Sequence, residues 1–260
     1  SLLAENFMMV KDYQKAEKIY LFLKEFGENY SWHSSKQIAL LKIENSQSKK
    51  ALTMLEKSYK NLRSPNHYQT YDYAEFLKNN EEFKKSIKYY SNILNNISKN
   101  HELYPKTKDG RGIAYERIGD WPKAEKDFLD SLAAKPNQAY VINYLAYSWI
   151  EKGIKIEKSL KMLEEANRLR SNDGYITDSL GWALYKLKRY DKAKEYLKKA
   201  VQLMPSDPIV NDHFADILWM IGDKLQARYY WRYVLNLEET EDDLKKKIMR
   251  KILDGPTVLN

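Results

Sequence analysis

The chain has 260 residues, a formal charge of +8 from 44 Lys and Arg against 36 Asp and Glu, 21 tyrosines and no cysteine. Without cysteine there is neither a disulfide framework nor a thiolate site, and four scattered histidines offer no metal-ligand spacing. No stretch is long and apolar enough to span a membrane as a helix.

A spacing of about 34 residues recurs along the chain and predicts a helix–turn–helix unit at each step. The first copy, residues 1–31, enters midway at Leu3-Ala4 and continues through Phe7, Tyr13, Ala16, Tyr20 and Leu23. Residues 32–66 keep Ile38-Ala39, Ala51, Leu55 and Ser58, and residues 67–104 keep Tyr73-Ala74, Leu77, Phe83, Ser86 and Tyr90. The pattern sharpens in residues 105–138, with Gly112, Tyr115, Gly119, Trp121, Ala124, Phe128, Ser131 and Pro136. Residues 139–173 carry Leu145-Ala146, Trp149, Gly153, Ser159, Leu163 and Ala166, with one residue inserted near Ile154. Residues 174–207 are the most complete copy, with Leu180-Gly181, Leu184, Tyr190, Ala193, Leu197, Ala200 and Pro205. Residues 208–241 close the series with Phe214-Ala215, Leu218, Gly222, Ala227, Trp231 and Val234. Residues 242–260 read as a capping helix and tail, with Leu244, Ile248 and Ile252 on one face. An interfacial membrane helix is the alternative for that segment, although its apolar face lacks an aromatic residue.

Two columns are small in all seven copies. They are Ala4, Ala39, Ala74, Gly112, Ala146, Gly181 and Ala215 on the first helix, and Ala16, Ala51, Ser86, Ala124, Ser159, Ala193 and Ala227 on the second. Small side chains permit close helix crossing, so each pair of entries predicts a crossing point. The adjoining column of Tyr20, Leu55, Tyr90, Phe128, Leu163, Leu197 and Trp231 should fill the core. Lys42 and Arg111 stand where a large apolar residue is expected, which predicts looser packing in those two copies.

These residues closely resemble the tetratricopeptide repeat family. The resemblance implies an all-α superhelical solenoid of about seven helix–turn–helix repeats over residues 1–241, followed by the capping helix. It further implies a non-catalytic scaffold that binds a peptide segment or partner helix on the concave face, which first helices line. The residues expected there are Tyr140, Asn143, Tyr144 and Tyr147, then Tyr175, Asp178, Trp182 and Tyr185, then Asp212, His213, Asp216 and Trp219. This set is aromatic and acidic, and Tyr and Trp dominate binding hot spots. Trp182 and Trp219 lie outside the core columns and are the foremost groove candidates, with the carboxylates selecting basic or amide-rich segments.

One subgroup is argued against. Adaptors that clamp the terminal carboxylate of chaperones place cations in the groove, whereas Asn143, Tyr147, Ser179, Ile209 and His213 hold those positions. Residues 140–235 resemble instead the bacterial tetratricopeptide lipoproteins of the Gram-negative envelope, through Asn143–Tyr147, Asp178–Tyr185 and Asp212–Asp216 followed by Trp219. In members of that group the array is an adaptor for a processing protease and its substrates. That resemblance favours a periplasmic or outer-membrane-anchored location, with any membrane attachment made through an anchor upstream of this chain.

No enzyme, cofactor or metal is expected. Ser179 lacks the glycine-flanked turn of a nucleophile elbow, and Gly110 and Gly112 form half a dinucleotide fingerprint with no strand before them. The basic surface keeps a nucleic-acid-binding helical repeat as the second reading. Most of the excess charge, such as Lys192, Lys194, Lys198 and Lys199, sits on outward positions of second helices, where interspersed charge maintains solubility.

Overall fold

The computed structural model describes residues 2–256, with Glu28 and Asn29 described only in their backbone. The described residues form fifteen helices and no strand. They group into two compact units, one ending at Ala134 and the other beginning at Lys135. The part of the expected tail that follows Pro256 lies outside the described residues.

The first unit consists of four helix hairpins. These are α1 (Leu2–Met9) with α2 (Tyr13–Leu23), α3 (Glu28–Glu44) with α4 (Ser48–Lys60), α5 (His67–Asn79) with α6 (Phe83–Asn96), and α7 (Leu103–Arg117) with α8 (Trp121–Ala134). The second unit has three hairpins and a terminal helix: α9 (Ala139–Glu151) with α10 (Ile156–Leu169), α11 (Gly174–Lys186) with α12 (Tyr190–Leu203), α13 (Pro208–Met220) with α14 (Lys224–Leu235), and α15 (Asp242–Asp254). Side-chain caps place several starts. Asp173 accepts from the Ile176 amide, Asp207 from those of Ile209 and Val210 with Pro208 at the first helical position, and Asn66 forms a reciprocal capping box with Gln69.

Each hairpin turn contains a residue with left-handed backbone. Glycine fills it at Gly119, Gly153 and Gly222, but Lys11, Ser46, Glu81 and Lys188 occupy the same position with φ of 57–63°. The insertion in the fifth copy adds a second such residue, Lys155 at φ 50°, just after Gly153. A side chain in this conformation costs about 1–2 kcal/mol.

The small columns mark where helices meet, and every member of both is buried. Gly181 shows why. A Cβ built there would lie 2.7 Å from Leu197 Cγ and 2.8 Å from its Cδ2, both too close, and at a tight 3.1 Å from the Leu197 backbone nitrogen. The large column between layers, from Tyr20 to Trp231, is fully buried throughout. In the second unit one continuous core runs from Ala146 to Ile248.

The two polar interruptions do not loosen the packing. Arg111 donates from Nε and Nη2 to the Asp127 carboxylate at 2.6 and 2.9 Å and from Nη1 to Ser91 Oγ at 2.9 Å. Lys108 adds a 2.7 Å bond to buried Asp127, so the apolar slot is replaced by a paired charge network. Lys42 pairs with Glu17 at 3.1 Å.

Two substitutions test this geometry. Gly181→Ala should destabilise the protein by about 1–3 kcal/mol despite alanine's better helix propensity, because overpacking outweighs it; a higher urea midpoint would show that the helices have room. Lys188→Gly should raise stability by about 1 kcal/mol by removing the left-handed side chain, measured by the same unfolding curve.

Candidate functional site

In the second unit the first helices α9, α11 and α13 present a polar and aromatic layer that is mostly closed. Asp178, Asp212, His213 and Asp216 are all buried. Trp182, expected to face a ligand, is only 7% exposed and belongs to the hydrophobic core. Its indole stacks on His213 at 3.9 Å and on Tyr185 at 4.6 Å between centroids, and its Nε1–H donates to Glu151 at 2.7 Å. The sequence columns do not reveal this, because the layers on either side supply the His213 stacking partner and the Glu151 hydrogen-bond acceptor.

His213 Nδ1–H donates to the Asp178 carboxylate at 2.9 Å, tying α13 to α11. Burial alone would lower the imidazole's pKa, but the Asp178 charge overrides it and raises the value above the ordinary one. Asp212 accepts from Trp231 Nε1 at 2.9 Å and from Lys251 at 2.8 Å, and Asp216 accepts from Lys251 at 2.8 Å. These three carboxylates, expected to select basic ligands, are therefore paired within the chain. Trp219 is half-buried against Trp231, with Lys224 and Arg228 cations at 5.0 and 4.9 Å from its ring.

What remains accessible is a tyrosine rim. Tyr140 and Tyr175, each the second residue of its helix, are 53% and 57% exposed. Tyr140 donates to the N-cap Asp173 at 2.8 Å, and the Arg170 guanidinium lies 4.8 Å from its ring. Tyr144, Tyr147 and Tyr185 are half-buried behind that rim. Burial and nearby carboxylates raise the Tyr147 and Tyr185 hydroxyl pKa values, so both rings are neutral donors. Asn143 is half-buried, with its Oδ1 enclosed and unpartnered.

The first unit holds a cluster that the sequence reading did not single out. Glu75 accepts from the Tyr90 hydroxyl and, at 2.9 Å, from Lys78. A Cβ on Gly110 would fall 2.7 Å from both the Glu75 carboxylate and the Tyr90 hydroxyl, so glycine is needed for that bond. Beside it Asp109 is pushed up to about 6 by burial, partly offset by Lys78 and reinforced by Glu75. The available signal was positional: Asp109, Asp178 and Asp212 each precede the small first-helix residue by three positions.

Because Asp109 titrates higher in the folded chain than its ordinary 3.8, the stability it contributes is present below about pH 4 and lost as pH rises through about 6. Asp109→Asn removes that loss. Its unfolding free energy relative to the parent should therefore move upward between pH 4 and 7, by about 2 kcal/mol, read from urea unfolding curves at the two pH values. A pH-independent offset would refute the assignment.

Among the described residues no group of three or more His, Asp or Glu side chains is arranged to hold a metal, and no helix is long and apolar enough to cross a membrane. The family model described as tetratricopeptide repeat matches residues 3–240. A TPR repeat-containing protein of Pseudomonas aeruginosa is 28% identical over 143 residues, covering 52% of this chain and 22% of that protein. The type IV pilus assembly protein PilF of the same organism is 24% identical over 136 residues, covering 50% of this chain and 53% of PilF. The chain thus spans about a fifth and about half of these relatives. Among solved structures, a tetratricopeptide repeat protein of Parabacteroides merdae superposes with a TM-score of 0.65 at 15% identity, covering 85% of each chain.

Proposed function

We propose that this chain, which belongs to the tetratricopeptide repeat family, is a non-catalytic adaptor that holds a peptide segment or partner helix against the first helices of its second unit. Proteins of this family act as protein–protein interaction scaffolds. The observation that carries the finer reading is the tyrosine rim. Tyr140 and Tyr175 expose more than half their surface, while the layer beneath them is locked by the Asp178–His213 and Trp182–Glu151 bonds. Rigid aromatic anchors on a preorganised support bind with little loss of side-chain entropy.

The likeness of residues 140–235 to envelope lipoproteins, together with the pilus-assembly relative, supports a place in a bacterial envelope. On this reading the partners are a processing protease and its substrates. The groove that Trp182 was expected to line is replaced by the rim and by the half-buried Tyr144, Tyr147, Tyr185 and Trp219.

A photoreactive amino acid at position 175 should crosslink a partner protein in source cells, and the same group at Lys198 on α12 should not. Tyr175→Ala should weaken binding of that partner by about 2 kcal/mol with an unchanged melting temperature. Trp182→Ala should instead lower stability by about 3–5 kcal/mol. Crosslinks only from position 198, or steeply salt-dependent capture of RNA or DNA, would move function to the basic second-helix surface.

A further inference from the structure

The polar face of α13 ends in two buried carboxylates one helical turn apart, Asp212 and Asp216. Lys251 of α15 reaches both: its Nζ lies 2.8 Å from each Asp212 oxygen and 2.8 Å from Asp216 Oδ2. An ammonium carries three N–H donors, so the three contacts use all of its donor capacity. The Asp216 side chain is only 3% exposed, and its second oxygen, Oδ1, is enclosed without a hydrogen-bond partner. Two buried carboxylates repel each other, and a buried charge without a counterion is strongly unfavourable. This site requires a cation.

The helix that delivers the cation buries few residues of its own. In α15 only Ile248 is buried, against ten residues in α13, and Met249 and Leu253 on α15 are exposed. Leu244 and Ile252 are packed only partly against the core. Further attachments are a 2.9 Å bond from Arg228 Nε to the Ile252 carbonyl and the close seat of Gly255 on Trp219. A Cβ on Gly255 would collide with the Trp219 indole, so the backbone approaches that ring only because the residue is glycine. Gly255 also has φ +81° and terminates the helix. The seat therefore reads two features of its occupant, a lysine and a helix-ending glycine four residues later.

We propose that Asp212, Asp216 and Trp219 form a recognition seat for a lysine-bearing helix end of a partner protein, and that α15 is its occupant in cis. Partner engagement exchanges one helix for the other at the end of the first-helix face. This deepens the adaptor reading above and rests on it. It also explains why the most acidic part of that face is closed here: the chain supplies its own basic segment.

The test uses the full chain and a fluorescently labelled synthetic peptide with the sequence of residues 239–256. Lys251→Met keeps side-chain bulk while removing the charge that holds α15. The Lys251→Met chain should bind the peptide about tenfold or more tightly than the parent chain does. Peptides carrying Lys251→Met or Gly255→Val should lose that gain. In the parent chain, α15 amides should exchange hydrogen faster than those of α13, through local opening. If α15 amides exchange only together with α13, and the peptide binds neither chain, α15 is a permanent cap and the seat is overturned. Should Lys251→Met fail to fold by circular dichroism, hydrogen exchange in the parent chain decides alone. The two readings fail separately. The seat falls if α15 never opens, whatever position 175 crosslinks, and the rim reading falls if position 175 crosslinks nothing, whatever α15 does.

Discussion

Two helices can cross at Gly181 and Leu197 only because one of them has no side chain at the contact, and the same constraint is met at every hairpin by a pair of small residues. Close crossing brings the large residues of one layer against those of the next, so Tyr20, Leu55, Tyr90, Phe128, Leu163, Leu197 and Trp231 are fully buried. Within each unit, helix spacing, core filling and the orientation of the first helices follow from those contacts. The left-handed residue in each hairpin turn serves the same end. It reverses the chain tightly enough for the crossing to form, even where Lys11, Ser46, Glu81 or Lys188 must adopt a conformation better suited to glycine.

Close packing has a consequence for polar groups. First-helix residues that would line an open groove in a looser array are enclosed, and an enclosed charge requires a partner. The chain meets this with bonds between successive layers: the half-buried Lys36 to Asp72 at 2.8 Å, buried Asp178 to His213 at 2.9 Å, and buried Asp212 to Lys251 of α15 at 2.8 Å. Where Arg111 interrupts the apolar pattern, Asp127 supplies the countercharge within the same hairpin. Such bonds tie each layer to the next. The last of them is borne by α15, in which only Ile248 is buried.

Much of the fold was legible in the sequence. The small columns, the large column and the turn glycines follow a linear period, because each repeat contacts mainly its neighbours and local pattern determines local structure. The identity of α15 as a helix that packs through Ile248 was legible for the same reason. The candidate surface was legible only in part. Tyr140 and Tyr175 carry their exposure in their position at the start of the helix, but Trp182 shares a face with ligand-lining residues and is buried by stacking on His213, 31 positions away.

The sequence by itself determined the repeat, the helix pairs, the crossing points and the family, since all of these depend on residues within one period of each other. Only the tertiary structure decided which polar residues face solvent. Whether Asp178, Asp212 and Asp216 present free charge depends on what the next layer brings within about 3 Å, and that layer lies 35 to 39 residues further along the chain. Pairing of buried charges is a property of the assembled layers, and no periodicity in the chain specifies it.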